Sequence, residues 1–230
     1  MKGRGKELRF WGRVWLESIG ITVAVSIGFL VLRGLGSAEF TGDMGAALPL
    51  ILSMTAYFIV IVGAMVTMLM MLGLFRGYFS LLVSMNVTRS RAICGIWLNQ
   101  AAAVLGMLCI AALIWLAVPG EFADAGLSLL PLFAGILFAM AAVSMLFGVV
   151  LIRWGKVGVI ILAFICFGIG GAGGMVAAMT AATNTAVMQR IFVEDLAGGN
   201  YWLIAVIGIG LYLLAGIFTL AATRRSEVRV

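Results

Sequence analysis

The sequence predicts an all-α membrane protein: six transmembrane helices with both termini cytoplasmic, an N-terminal interfacial helix, and an outer helix between spans five and six. Three observations lead there. Of 230 residues, 64% are hydrophobic and only 10% charged, where a soluble domain is roughly a quarter charged. The apolar residues cluster: 44–75, 92–120, 125–152, 157–189 and 196–223 contain no Asp, Glu, Lys or Arg, and each exceeds the about 20 residues that cross a hydrocarbon core of about 30 Å. The basic residues, finally, fall in alternate connections, the pattern that sets orientation in a bilayer.

Residues 1–13 read as a basic amphipathic helix lying in the membrane interface. Leu8, Trp11 and Trp15 fall near one face, with Lys6, Arg9 and Arg13 pointing elsewhere, which suits indoles at headgroup depth and cations against anionic lipid. Glu17 follows Arg13 by four residues, the spacing of a helical ion pair. The interfacial residues are therefore Trp11, Arg13, Trp15 and Glu17. The first span, 14–33, could also be read as a signal peptide, since Gly36, Ser37 and Ala38 resemble a cleavage site. Its length and Arg33 favour a retained span.

The remaining spans are expected near 47–74, 93–118, 129–152, 157–182 and 201–222, making 14–222 the transmembrane domain and 223–230 a basic cytoplasmic tail. With the N-terminus inside, 13 of the 15 Lys and Arg residues are cytoplasmic, and only Arg33 and Arg190 lie outside. Orientation thus accounts for the net charge of +6, and no nucleic-acid partner is implied. In the fifth span Gly170 and Gly174 form a GxxxG pair that lets another helix pack closely. The surrounding glycines formally match GxGxxG, but they lie inside a spanning run without the strand–turn–helix context of a dinucleotide site. Beyond that span, Val187, Met188, Ile191, Phe192 and Leu196 recur at helical spacing and predict the outer helix.

No catalytic constellation forms. The chain has no histidine, the commonest general base and metal ligand, and no GxxxxGK[ST] loop. Cys94, Cys109 and Cys166 sit in apolar runs without CxxC spacing and read as small buried hydrophobes. Neither metal nor cofactor is expected in this chain, and it is not expected to be an enzyme by itself. Asn99 and Gln100 within the third span read as interhelical hydrogen-bonding residues.

The connection between spans two and three, residues 76–91, is the informative one. It mixes Leu81, Leu82, Val83 and Met85 with Arg76, Arg89 and Arg91, too apolar for a solvated loop and well suited to a short helix that docks on an acidic partner. A plain interfacial helix with topology-setting arginines is the other reading. Its stretch Val83-Ser-Met-Asn-Val-Thr-Arg-Ser90 resembles the Leu-Ser-Leu-Gly-Val/Ala-Thr-Arg-Lys stretch of type-2 ATP-binding-cassette (ABC) transporter permease subunits, particularly small bacterial six-span ones. Asn86 stands where that stretch has Gly, and Ser90 where it has Lys. The resemblance extends to the whole layout of interfacial helix, six spans and outer helix.

The resemblance implies a permease of an ATP-driven exporter in the bacterial inner membrane. It would be paired with a second permease, identical or related, and with a cytosolic ABC ATPase that carries the ATP and Mg. The 76–91 connection would then be the coupling helix, with Tyr78, Phe79, Asn86, Thr88, Arg89 and Arg91 touching the ATPase. A non-transporting multi-span scaffold or assembly factor is the competing expectation, given how few polar residues the spans carry.

Overall fold

The computed structural model of the chain describes residues 4–36, 44–79, 82, 88–118, 121–183 and 200–223. Nearly all of these residues are helical, and no strand occurs among them. In order the elements are α1 (Arg4–Gly36), α2 (Met44–Gly73, continued by a π-helical turn Leu74–Tyr78), α3 (Arg89–Ala117), α4 (Glu121–Ser128), α5 (Leu130–Thr183) and α6 (Tyr201–Thr223). Helices are what lipid demands, because each backbone N–H and C=O must be satisfied within its own segment. Five stretches among the described residues are long and apolar enough to span: Arg9–Gly28, Ile51–Met70, Arg89–Ala117, Leu130–Gly155 and Tyr201–Thr223. The architecture is that of a multi-span helical membrane protein.

α5 is two helices joined at one residue. Gly155 has φ 54° and ψ −125°, a backbone conformation that costs an L side chain steric strain and glycine almost nothing. A Cβ placed on Gly158 would lie 2.8 Å from the carbonyl oxygen of Val150, whereas eight residues of straight helix would separate the two by about 12 Å. The chain therefore turns back sharply at Gly155. Stretch 156–183 beyond it is helical and coincides with the fifth expected span.

Packing follows the rule for helices in lipid, where large apolar residues face outward at no hydrophobic cost and small ones admit a neighbour. α6 buries Ala205, Gly208, Tyr212, Ala215, Gly216, Thr219 and Thr223 and turns Trp202, Val206, Leu214 and Phe218 outward. Its closest approach is to α5, where a Cβ on Gly208 would run into the Gly135 carbonyl oxygen and Cα, and one on Gly135 would lie 2.5 Å from the Ile204 carbonyl oxygen. The centre of the bundle is filled by Ile93, Ile96, Val104, Leu137, Ala141 and Met145. Trp115, fully buried, stacks on Phe133 with ring centroids 5.9 Å apart, and Tyr57 meets its edge at 5.2 Å. α4, between the expected spans 93–118 and 129–152, lies over that indole: a Cβ on Gly126 would be 2.5 Å from it.

α1 is one 33-residue helix that passes through residue 13 without a break, about 50 Å long. Its tryptophans pack on α3. A Cβ on Gly95 would lie 2.6 Å from the Trp11 ring, and one on Gly106 would lie 3.2 Å from the Trp15 ring. Two glycines on α3 leave shallow seats that indoles fill. The Trp15 indole nitrogen is buried with no hydrogen-bond partner, a cost accepted for that packing. The Arg13–Glu17 pair forms as its spacing predicts, Nε to Oε1 at 2.9 Å.

Candidate functional site

The helix directions gather five arginines at one end of the bundle. Trp11 against Gly95 joins the start of α1 to the start of α3. Phe75, at the end of α2, lies across Gly148 near the Gly155 turn, and Trp97 near the start of α3 lies against Gly216 near the end of α6. This end therefore carries Arg9, Arg13, Arg89, Arg91 and Arg153. Arg9, Arg13, Arg91 and Arg153 are exposed there.

The connection from α2 to α3 begins as an extension of α2. Leu74–Tyr78 wind as a π-helix, and Phe79 keeps helical angles with its N–H donating to the Leu74 carbonyl. Leu74, Phe75, Phe79 and Leu82 are all buried in the core, with the Phe75 and Phe79 rings 6.4 Å apart. Phe79, expected as an apolar anchor for a partner, is only 3% exposed and spends its ring on the core. Tyr78 closes the π turn. Asn86 lies outside the described residues. Thr88 is exposed and extended, caps the start of α3 without a side-chain hydrogen bond, and accepts at its carbonyl from the Ala92 N–H at 3.0 Å. Arg89 is half-buried and Arg91 exposed.

The first turn of α3 thus holds two arginines and no acidic residue. Cations there oppose the helix macrodipole, whose N-terminal end is itself positive. Helix stability alone would favour acids at these positions. The arrangement instead concentrates positive potential on an exposed surface, the requirement for capturing carboxylates or phosphates.

A second polar region is buried midway along the bundle, and the sequence reading touched it only through Asn99 and Gln100. Gln100 Nε2 donates to Ser144 Oγ across α3 and α5 at 2.7 Å, and Ser144 donates onward to the Ala141 carbonyl at 2.8 Å. Ser18 and Thr67 donate to the Val14 and Gly63 carbonyls of their own helices. These four side chains, with Asn99, are buried, and a space of about 10 Å³ lies among Ser18, Thr67, Asn99 and Gln100. Because both hydroxyl protons are already committed, neither can serve Gln100 Oε1, which is buried without a partner. Serine and threonine in α1 and α2 signal such a seam weakly, since they also bond to their own helix.

The pair yields a test. Ser144→Ala strands the Gln100 amide and is expected to cost about 1–3 kcal/mol, whereas Gln100→Met with Ser144→Ala removes both partners and is expected to be nearly neutral. Unfolding of the purified variants in mixed micelles measures both.

The other expected residues fall as follows. Gly170 and Gly174 lie in helical stretch 156–183; their packing is not among what the structure describes, and the outer helix expected over 187–196 lies outside the described residues. Cys94 is half-buried and Cys109 exposed, both free thiols. Cys109 is thus on the outward face of α3 and not in the core, where its small apolar character suits lipid equally well. Among the described residues no three potential metal ligands come together. Comparison with protein families, curated proteins and solved structures returns no match to this chain.

Proposed function

We propose that the chain is the membrane-spanning permease subunit of an ATP-driven ABC transporter, an exporter of the bacterial inner membrane. On this reading it has six spans and cytoplasmic termini, stretch 156–183 being the fifth span. It pairs with a second permease and binds a separate cytosolic ATPase that holds ATP and Mg. The observation that carries the reading is the α2–α3 connection. Its entry is locked into the core by Phe75, Phe79 and Leu82, and its exit presents Thr88 and Arg91 on the surface. A push delivered at the entry passes into the bundle through the packed rings of Phe75 and Phe79. The contact set is Thr88, Arg89 and Arg91, with Tyr78 and Asn86 beside them; Phe79 acts from within.

The test is recovery of a Walker-motif ATPase with tagged, detergent-solubilised chain from its native cells. Charge reversal at two contact arginines, Arg89→Glu/Arg91→Glu, replaces attraction by repulsion and is expected to reduce recovery at least about tenfold, since breaking a charge-paired contact costs about 2–5 kcal/mol. Undiminished recovery with the variant would move the contact elsewhere. Absence of any ATPase under several mild detergents would favour a scaffold.

A further inference from the structure

We propose that the groove between the starts of α1 and α3 binds one anionic phospholipid, with its phosphate on Arg91 and an acyl chain laid along the outer face of α3. The groove measures about 200 Å³ and is lined by Trp11, Leu82, Arg91, Cys94, Gly95 and Leu98. Its floor is apolar, and among the described residues its one charged lining residue is a guanidinium. A guanidinium is the planar fork that grips a phosphate through two parallel hydrogen bonds. Gly95 is what gives the groove its wall, because a side chain there would displace the Trp11 ring. The site lies where candidate span Arg89–Ala117 begins, hence at the membrane–water boundary, where basic pockets between helices meet lipid headgroups.

The groove is continuous with a surface shaped for the rest of the molecule. Leu98, Ala102, Leu105 and Cys109 follow one another along the exposed face of α3, with Leu98 64% and Leu105 52% exposed. From Leu98 to Cys109 the helix rises about 16 Å, close to the half-thickness of about 15 Å that one leaflet contributes. A lipid with its phosphate at Arg91 therefore has an apolar track as long as its tail. A soluble anion would engage the guanidinium alone.

The inference does not depend on the transporter reading, and its test uses the full chain without any ATPase, so the two fail separately. The purified chain is equilibrated with micelles holding equal phosphatidylglycerol and phosphatidylcholine, and retained lipid is counted by native mass spectrometry. Phosphatidylglycerol is expected to be retained about five- to tenfold in excess. Arg91→Gln is expected to abolish the excess, while Arg13→Gln, at the exposed arginine paired with Glu17, leaves it. Leu98→Gln changes an exposed residue of the track and is expected to lower retention with Arg91 intact; Cys94→Trp fills the groove and is expected to do the same. Soluble glycerol phosphate is expected not to compete. Equal retention of the two lipids, an undiminished excess in Arg91→Gln, or retention unaffected by both Leu98→Gln and Cys94→Trp would overturn the proposal. Displacement by glycerol phosphate would overturn the lipid and leave a phosphate site.

Discussion

Alanine at Gly208 is expected to lower the stability of the folded chain by about 1–3 kcal/mol, the usual cost of forcing extra atoms into a closed contact. Alanine at Gly210, two residues further on in the same helix, is expected to be neutral or stabilising. Both substitutions add one methyl group and remove the same conformational freedom from the unfolded chain, which favours a helix by up to about 1 kcal/mol. They differ only in what the methyl meets. At Gly210 there is nothing within 4 Å, while at Gly208 the backbone of Gly135 stands in the way. Backbone cannot rotate aside as a side chain does, so α5 and α6 must separate, loosening contacts along their whole shared length. Gly135→Ala meets the Ile204 carbonyl at the same crossing. The double variant is therefore expected to cost less than the two singles added, because the first methyl already opens the gap that the second needs. Unfolding in mixed micelles measures all four chains. Equal stabilities for Gly208→Ala and Gly210→Ala would show that the helices are not held at this crossing.

That crossing also marks the limit of what the sequence discloses. GxxxG at Gly170 and Gly174 is visible because two small residues share one helix face. Gly135 and Gly208 lie on different helices, and each looks unremarkable until the partner is known. The same difficulty runs through the bundle. In a soluble helix the buried side shows as an apolar stripe; α3 and α6 are apolar on every face, so periodicity cannot point to the core. What was legible came from charge and length: the spanning stretches, and the Arg13–Glu17 pair, which needs only local spacing. The Gln100 bond to Ser144 was legible as a kind of contact but not as a partner. Tryptophan's preference for headgroup depth speaks for the level of Trp11 and Trp15 in the membrane, not for the helix they meet. Their seats at Gly95 and Gly106 depend on how α1 and α3 cross, and no local pattern encodes that. The inward side of Phe79 is equally hidden from the sequence: a connection with arginines at its end suggests a partner-facing surface, while the helix runs on to Phe79 and buries its ring.

Phe75 is the residue through which that inward run acts, and its removal is expected to produce the other large effect. The ring is 3% exposed and lies across Gly148 of α5. Phe75→Ala should cost about 2–4 kcal/mol, below much of the usual range for a core phenylalanine, because lipid replaces water as the outer solvent and mainly the lost packing contacts count. The cavity it leaves has a particular shape. A Cβ on Gly148 would point into the volume that the ring now fills. Gly148→Leu alone is therefore expected to destabilise the chain by overpacking, about 1–3 kcal/mol, yet to recover stability when added to Phe75→Ala. A rise in stability on adding the second substitution is a sign reversal that general damage to the fold does not produce. On the transporter reading the same variants separate docking from transmission. Phe75→Ala leaves Arg89 and Arg91 in place, so ATPase recovery should persist while transport-linked ATP hydrolysis falls. Gly148→Leu should restore part of that hydrolysis, because the link between the connection and α5 is again solid. Loss of ATPase recovery in Phe75→Ala would mean that the core aromatics shape the docking surface itself, and that binding and transmission share one structure.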